Sequence, residues 1–133
     1  MKAKRAGAAE LLAAARRARR HAHAPYSGYR VGAAVRSASG NVYVGCNVEN
    51  ASYGATICAE RVAVAAMVAA GEKRLTAVAV VTAGKTQGMP CGICRQVLAE
   101  FGQRVVVVVA TARRTRRTSL RALLPRPFAL SRP

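Results

Sequence analysis

Two stretches decide the fold: Ala77-Val78-Ala79-Val80-Val81, and the run Arg104-Val105-Val106-Val107-Val108-Val109-Ala110 further on. Each is an unbroken apolar segment rich in β-branched residues, and such runs fit strands covered on both faces better than sandwich strands with one wet face. The flanking sequence supplies the covers. Ile57 to Ala70 lacks proline and glycine, is rich in alanine and stops at Gly71, which predicts a helix; it is apolar nearly all round, which predicts burial. Pro90 to Phe101 predicts another helix with the proline in its first turn. Leu11, Leu12, Ala15 and Ala18 recur at helical spacing in a segment that ends before Pro25. Val31–Val35 and Val42–Val44 form a hairpin around Ser39-Gly40-Asn41, and Ala83–Met89 reads as a loop. The order α, β, β, α, β, α, β predicts an α/β layered domain; Arg113–Arg117 carries no assignment.

The chain has 133 residues, enough for one domain spanning 1–133. Its five carboxylates are all glutamates (Glu10, Glu49, Glu60, Glu72 and Glu100), and the absence of Asp excludes Ser-His-Asp triads, EF-hand loops and Walker-type magnesium sites. Against them stand 22 Lys and Arg, a net charge of +17. The basic residues spread over Lys2–Arg20, Arg113–Arg121 and the tail without interleaved aromatics to stack bases. A solvated basic surface with only non-specific, salt-dependent attraction to nucleic acid is therefore expected. The apolar stretch Val62–Ala70 is bounded by Arg61 and Gly71 and falls short of the roughly 18 residues of a membrane span. Met1–Arg20 has the Ala and Arg content of a transit peptide, but it also reads as an ordinary first helix, and Leu11–Ala15 is too brief for a signal-peptide core. A soluble, cytoplasmic protein is expected, with its four cysteines as thiols or metal ligands.

The chemistry concentrates in Cys91-Gly92-Ile93-Cys94 and, upstream, Cys58-Ala59-Glu60. Thiols three apart on a helix project from one face, a spacing shared by metal and redox sites. A thioredoxin-like redox pair would follow the first strand, whereas this one lies late in the chain with a third thiol available. If Cys58, Cys91 and Cys94 bind one zinc, the fourth position stays open to water, which is the catalytic pattern. Cys46 could close a structural site, but it is expected to be a small buried strand residue. Three thiolates weaken zinc's hold on the acidity of water, so positive neighbours are required. Helix N-termini at Cys58 and Cys91, together with Arg61 and Arg95 hydrogen-bonded to the sulfurs, would supply them. Glu60 is the general acid/base candidate, and it converges with Cys58 only if Cys58 stands at the helix entrance in a non-helical conformation.

Four blocks now stand in order: Pro25-Tyr26-Ser27-Gly28-Tyr29-Arg30-Val31-Gly32-Ala33-Ala34, Gly45-Cys46-Asn47-Val48-Glu49-Asn50-Ala51-Ser52-Tyr53-Gly54, Cys58-Ala59-Glu60-Arg61, and Pro90-Cys91-Gly92-Ile93-Cys94-Arg95-Gln96. Together they closely resemble the small homotetrameric cytidine deaminases, from about the first helix to Phe128. Cys58 where deaminases of DNA or RNA carry histidine resembles the free-nucleoside branch. The resemblance implies a three-layer α-β-α fold with a mixed sheet of about five strands, and one zinc per subunit on Cys58, Cys91 and Cys94. It implies hydrolytic deamination of cytidine and deoxycytidine in pyrimidine salvage, with Glu60 moving protons from the attacking water to the pyrimidine ring and the leaving amine.

Carried over by position, Asn47 and Glu49 match the pair that binds the ribose 3′-hydroxyl, and a buried Glu49 there would repel a 3′-phosphate. Backbone groups around Ala59 and Cys91 would contact the base edge. Tyr29 matches an aromatic, usually Phe, beside the nucleoside; Phe128 matches one reaching in from a neighbouring subunit; Tyr53 matches an interface residue. Arg61 and Gln96 would support the ligands. The departures are in charge: relatives generally carry acids where this chain has Ser37-Ala38-Ser39-Gly40, the Arg113–Arg117 run and Arg126-Pro127. Four such subunits would repel one another at low ionic strength. The alternative function is a basic protein on the same fold that binds or edits RNA.

Overall fold

The computed structural model describes residues 2–85 and 87–131, so that of the span 1–133, Met1, Thr86, Arg132 and Pro133 lie outside the described residues. Its elements run α1 (Lys2–Arg19), β1 (Val31–Ser37), β2 (Val42–Cys46), α2 (Ala59–Ala69), β3 (Leu75–Thr82), α3 (Gly92–Phe101), β4 (Val106–Ala110), β5 (Thr115–Ser119) and α4 (Leu120–Leu123), with a 3-10 turn at Tyr53–Ala55. The five strands lie in the order β2-β1-β3-β4-β5. Only β3 and β4 pair in parallel, Ala77 opposite Val106 through Val81 opposite Ala110; the other neighbours are antiparallel. A parallel pair needs a crossover connection, and α3 provides it.

Alternation along the valine runs sorts their side chains to two cores. Ala34, Ala79, Val81, Val108 and Ala110 pack against Leu11, Leu12, Ala14 and Ala15 of α1. Ala33, Val35, Val78, Val80, Val107 and Val109 pack against Ala63, Val64 and Met67 of α2 and Leu98 of α3 on the opposite face. The result is the expected α-β-α layering. Each fully buried Val or Leu contributes roughly 1.5–3 kcal/mol relative to an exposed one. Two close approaches set the helices. A Cβ on Gly32 would lie 2.0 Å from the Ala15 carbonyl oxygen of α1, and one on Gly45 would lie 2.5 Å from both the Ala59 carbonyl oxygen and the Ala63 nitrogen of α2. Only glycine permits backbones to meet at that range.

The structure revises several expectations. Arg113–Arg117 leads into the edge strand β5, whose residues are nearly all exposed. Its strand conformation comes from pairing with β4, Val106 opposite Ser119 and Ala110 opposite Thr115, rather than from hydrophobicity. Pro90 is buried and precedes the N-cap Cys91, outside the helix. Cys46 is partly exposed because it ends the other edge strand, β2. The all-round apolar α2 is buried on one side only: Ala65 and Ala69 are exposed, and Val62 and Ala66 half-buried. At its end, Glu72 accepts hydrogen bonds from the Ser39 hydroxyl, the Asn41 amide at 3.0 Å and the Tyr43 hydroxyl, tying α2 to the hairpin. These three donors, Ser39 first, hold its carboxyl down to about 2. No helix among the described residues is long and apolar enough to cross a membrane.

Candidate active site

Cys58 is the N-cap of α2 and Cys91 the N-cap of α3, with extended ψ angles of 151° and 173°. Neither side chain caps its own helix. A Ser, Asp or Asn there would ordinarily turn back onto the first-turn N–H groups; these thiols instead face each other, with Cys58 Sγ 3.9 Å from Cys91 Sγ. Cys94, one turn into α3, is fully buried, and all three sulfurs lie within 4.8 Å of one another. Sulfurs bound to one tetrahedral zinc at about 2.3 Å stand about 3.8 Å apart, so the donor set and its spacing fit that ion. Cys46 is not among the clustered thiols.

The surroundings favour thiolate. The positive ends of α2 and α3 meet at the cluster. Arg61 stands three residues past the N-cap and therefore on its face; its Nη2 donates to Cys58 Sγ at 3.7 Å and to the Thr56 carbonyl at 3.3 Å. Hydrogen bonds from Cys94 and Arg61 draw the Cys58 thiol down to about 5, while Cys94, the donor to that thiolate and the most buried of the three, is pushed well up. Arg95 does not contact sulfur: its Nε donates to the Pro90 carbonyl at 2.7 Å and its Nη1 to the Leu123 carbonyl at 3.0 Å. It braces the loop entering α3 against α4. Gln96 also leaves the sulfurs alone. Its amide donates to the Phe128 carbonyl at 2.8 Å and accepts from the Phe128 N–H at 3.1 Å, so that it grips the tail.

Glu60 lies in the first turn of α2 and is 5% exposed. Burial pushes its carboxyl up to about 7, with the neighbouring Cys58 charge adding to the rise and its own backbone N–H opposing it. The extended backbone of Cys58 is the condition under which thiol and carboxylate, two residues apart, can approach one point. Ala59, between them, is fully buried with its carbonyl against Gly45.

Beside the cluster, the segment 47–49 is stitched on both edges. His23 N–H donates to the Asn47 carbonyl at 3.0 Å and Glu49 N–H to the His23 carbonyl at 2.8 Å, while Val48 and Ile57 exchange two bonds of 2.9 Å. Extended backbone puts Asn47 and Glu49 on one side and Val48 on the other. Asn47, 7% exposed, accepts from Val31 N–H and donates to the Tyr29 carbonyl, each at 2.8 Å. Glu49 is half-buried rather than buried, because the 22–30 turn covers it from one side only. It accepts from Tyr26 N–H at 3.0 Å, Ser27 N–H at 3.1 Å and the Ser27 hydroxyl, which together hold its carboxyl below the usual range, the hydroxyl most of all. The sequence reading gave Ser27 no role; a serine hydroxyl just before a glycine was the available signal.

The aromatics are less enclosed. The Tyr29 hydroxyl lies near Gly88, where a Cβ would be 3.4 Å away. Tyr53 is 79% exposed and meets Tyr26 edge-on at 6.4 Å between ring centroids. Phe128 is 69% exposed, on the wall of a groove that separates α3 from the tail and includes Lys73, Arg104 and Leu130.

Comparison with known proteins leads to the same place. Over 117 residues the chain is 44% identical to the probable cytidine deaminase of Dictyostelium discoideum, covering 87% of this chain and 80% of that one. Over 122 residues it is 40% identical to a cytidine deaminase of Sporosarcina psychrophila, covering 90% of each. The crystal structure of cytidine deaminase from Burkholderia pseudomallei superposes with a TM-score of 0.85 at 46% identity, covering 90% of this chain and 97% of that one. That from Mycobacterium tuberculosis does so with a TM-score of 0.76 at 42% identity, covering 91% and 96%. Residues 6–110, which contain all three clustered thiols and Glu60, match the cytidine and deoxycytidylate deaminase zinc-binding region, and the chain belongs to that family.

Proposed function

We propose that this chain is a zinc-dependent enzyme that hydrolyses cytidine and deoxycytidine to uridine and deoxyuridine with release of ammonia. The observation that carries the reading is the meeting of three thiols within 4.8 Å at two helix N-termini beside a buried glutamate. The nucleic-acid alternative is not favoured, since the relatives named above are cytidine deaminases and the basic runs Lys2–Arg20 and Arg113–Arg121 carry no interleaved aromatic.

Cys58, Cys91 and Cys94 would hold the zinc, which supplies Lewis acidity that makes water a competent nucleophile near neutral pH. Arg61 and the two helix ends offset the charge of the thiolates. Glu60 takes a proton from the attacking water and returns protons to the ring nitrogen and the departing amine. Its burial in the first turn of α2, beside Cys58, puts one carboxyl within reach of both the water and the leaving group, so that it serves both directions. Asn47 and Glu49 bind the sugar hydroxyls, Tyr29 flanks the nucleoside, and backbone groups at Ala59 and Cys91 meet the base edge.

We assign Phe128 and Tyr53 to contacts between copies. The exposed face of α2, the exposed Tyr53 and the outward Phe128 are apolar surfaces that a homotetramer with shared sites would cover. A single domain acting in pyrimidine salvage in the cytoplasm fits the substrate.

The test is direct. Protein carrying about one zinc per chain should deaminate cytidine, and Glu60→Gln should retain the zinc while kcat falls about 10²- to 10⁴-fold. Zinc-loaded protein without turnover, or an unimpaired Glu60→Gln form, would overturn the reading.

A further inference from the structure

Ser27 joins both members of the pair read above as sugar-binding. Its hydroxyl donates to Glu49 Oε2 and accepts from Tyr29 N–H at 2.9 Å. The Tyr29 carbonyl in turn accepts from the Asn47 amide at 2.8 Å, and Asn47 and Glu49 are two residues apart on one extended segment. The ring of contacts is closed, and the Ser27 hydroxyl sits in it between Glu49 and the Tyr29 backbone.

The two carboxylate oxygens are treated differently. Oε1 receives two backbone N–H groups, from Tyr26 and Ser27, which match its two lone-pair directions. Among the described residues Oε2 receives only the Ser27 hydroxyl, which leaves it acceptor capacity for a hydroxyl of a ligand. The same bond fixes which way that capacity points, and the lowered pKa of Glu49 agrees with a carboxylate kept ionised for accepting.

We propose that Ser27 is a positioning residue for sugar recognition: by holding Glu49 Oε2 and the Tyr29 backbone at once, it aims the carboxylate at a nucleoside sugar hydroxyl and makes the enzyme discriminate against sugars lacking one. This rests on the reading of Asn47 and Glu49 as the sugar-binding pair.

The experiment compares cytidine with 2′,3′-dideoxycytidine on zinc-loaded wild type, Ser27→Ala and Ser27→Thr. Hydrogen bonds to a charged group contribute enough that Ser27→Ala should raise KM for cytidine about 10-fold, with kcat changed less than about 3-fold. For the dideoxynucleoside kcat/KM should fall no more than about 2-fold, since the hydroxyl that Glu49 would accept from is missing. Ser27→Thr keeps the hydroxyl and should restore most of the discrimination. Equal losses on both substrates would mean that Ser27 merely supports the turn, and no loss on cytidine would mean that Glu49 is aimed without it; either overturns the proposal. A wild type that turns over both nucleosides equally well overturns the sugar-binding reading beneath it, and one that turns over neither overturns the proposed function itself.

Discussion

Replacing Gly45 by alanine should damage catalysis as well as stability, for a reason that the geometry makes quantitative. A Cβ there would stand 2.5 Å from the Ala59 carbonyl oxygen and 2.5 Å from the Ala63 nitrogen, whereas ordinary contact begins at 3.4 Å. Both atoms belong to the backbone of α2, so no side chain can swing aside. The start of α2 must retreat from β2 by about 0.9 Å, the difference between those distances, and Cys58 and Glu60 retreat with it while Cys91 and Cys94 stay on α3. A misplacement near 1 Å is able to cost about 10²-fold in rate, or about 2.7 kcal/mol of barrier. Overpacking itself costs about 1–3 kcal/mol of stability.

The comparison that separates the two effects is Met67→Ala on the same helix. Met67 is fully buried in the core under α2, far along the helix from its first turn, and its truncation should cost about 2–5 kcal/mol without moving the N-terminus. Thermal melts and kcat/KM on cytidine at 25 °C would be measured for both. Gly45→Ala should lose about 100-fold in kcat/KM, with Met67→Ala close to wild type while it remains folded. If Gly45→Ala keeps full activity, or loses no more than Met67→Ala, the placement of Cys58 and Glu60 by the β2–α2 contact is wrong.

Two further outcomes are expected. Arg61→Ala removes the guanidinium from Cys58 and should weaken zinc binding about 10- to 100-fold in chelator competition, whereas Arg95→Ala, which frees only carbonyls, should alter the melting temperature more than the zinc affinity; equal zinc affinities for the two variants would contradict the assignment. Glu72 is held down to about 2 from its ordinary 4.5, so the stability it contributes is complete above 4.5 and is lost as the pH falls toward 2. Wild type should therefore melt above Glu72→Gln near neutrality, with the gap closing across that acid window; a gap that persists at about pH 2 would refute the clamp.

The valine runs and the thiol spacing were legible in the sequence because each is a one-dimensional pattern: alternation assigns the faces of a strand, and a three-residue interval assigns one face of a helix. Strand β5 was not. Thr115-Arg116-Arg117-Thr118-Ser119 has no apolar residue, and only its partner β4 makes it a strand. The two arginines beside the thiols look equivalent on paper, since Arg61 stands three residues past Cys58 and Arg95 four past Cys91; what separates them is tertiary, because the Pro90 and Leu123 carbonyls take the Arg95 guanidinium while Arg61 turns to Cys58 and Thr56. Contacts such as Ser27 with Glu49, spanning 22 positions, depend on how the 22–30 turn folds over segment 47–49, and no local pattern encodes that.

Topology explains why the thiols meet at all. α2 ends at Ala69 and β3 begins at Leu75, so a short connection forces the helix to run antiparallel to that strand. α3 leaves the far end of β3 and returns the chain to the start of β4, which is parallel to β3, so α3 is antiparallel to it as well. Both helices pack on the same face of the sheet, and both therefore begin at the carboxyl end of β3. Two N-caps and two positive dipole ends are brought together by chain connectivity before any side-chain chemistry is chosen. Cysteine at those caps, with a third one turn into α3, converts a general anion-attracting geometry into a thiolate cluster, and Glu60 in the first turn of α2 puts the proton carrier on the same helix as one of the sulfurs.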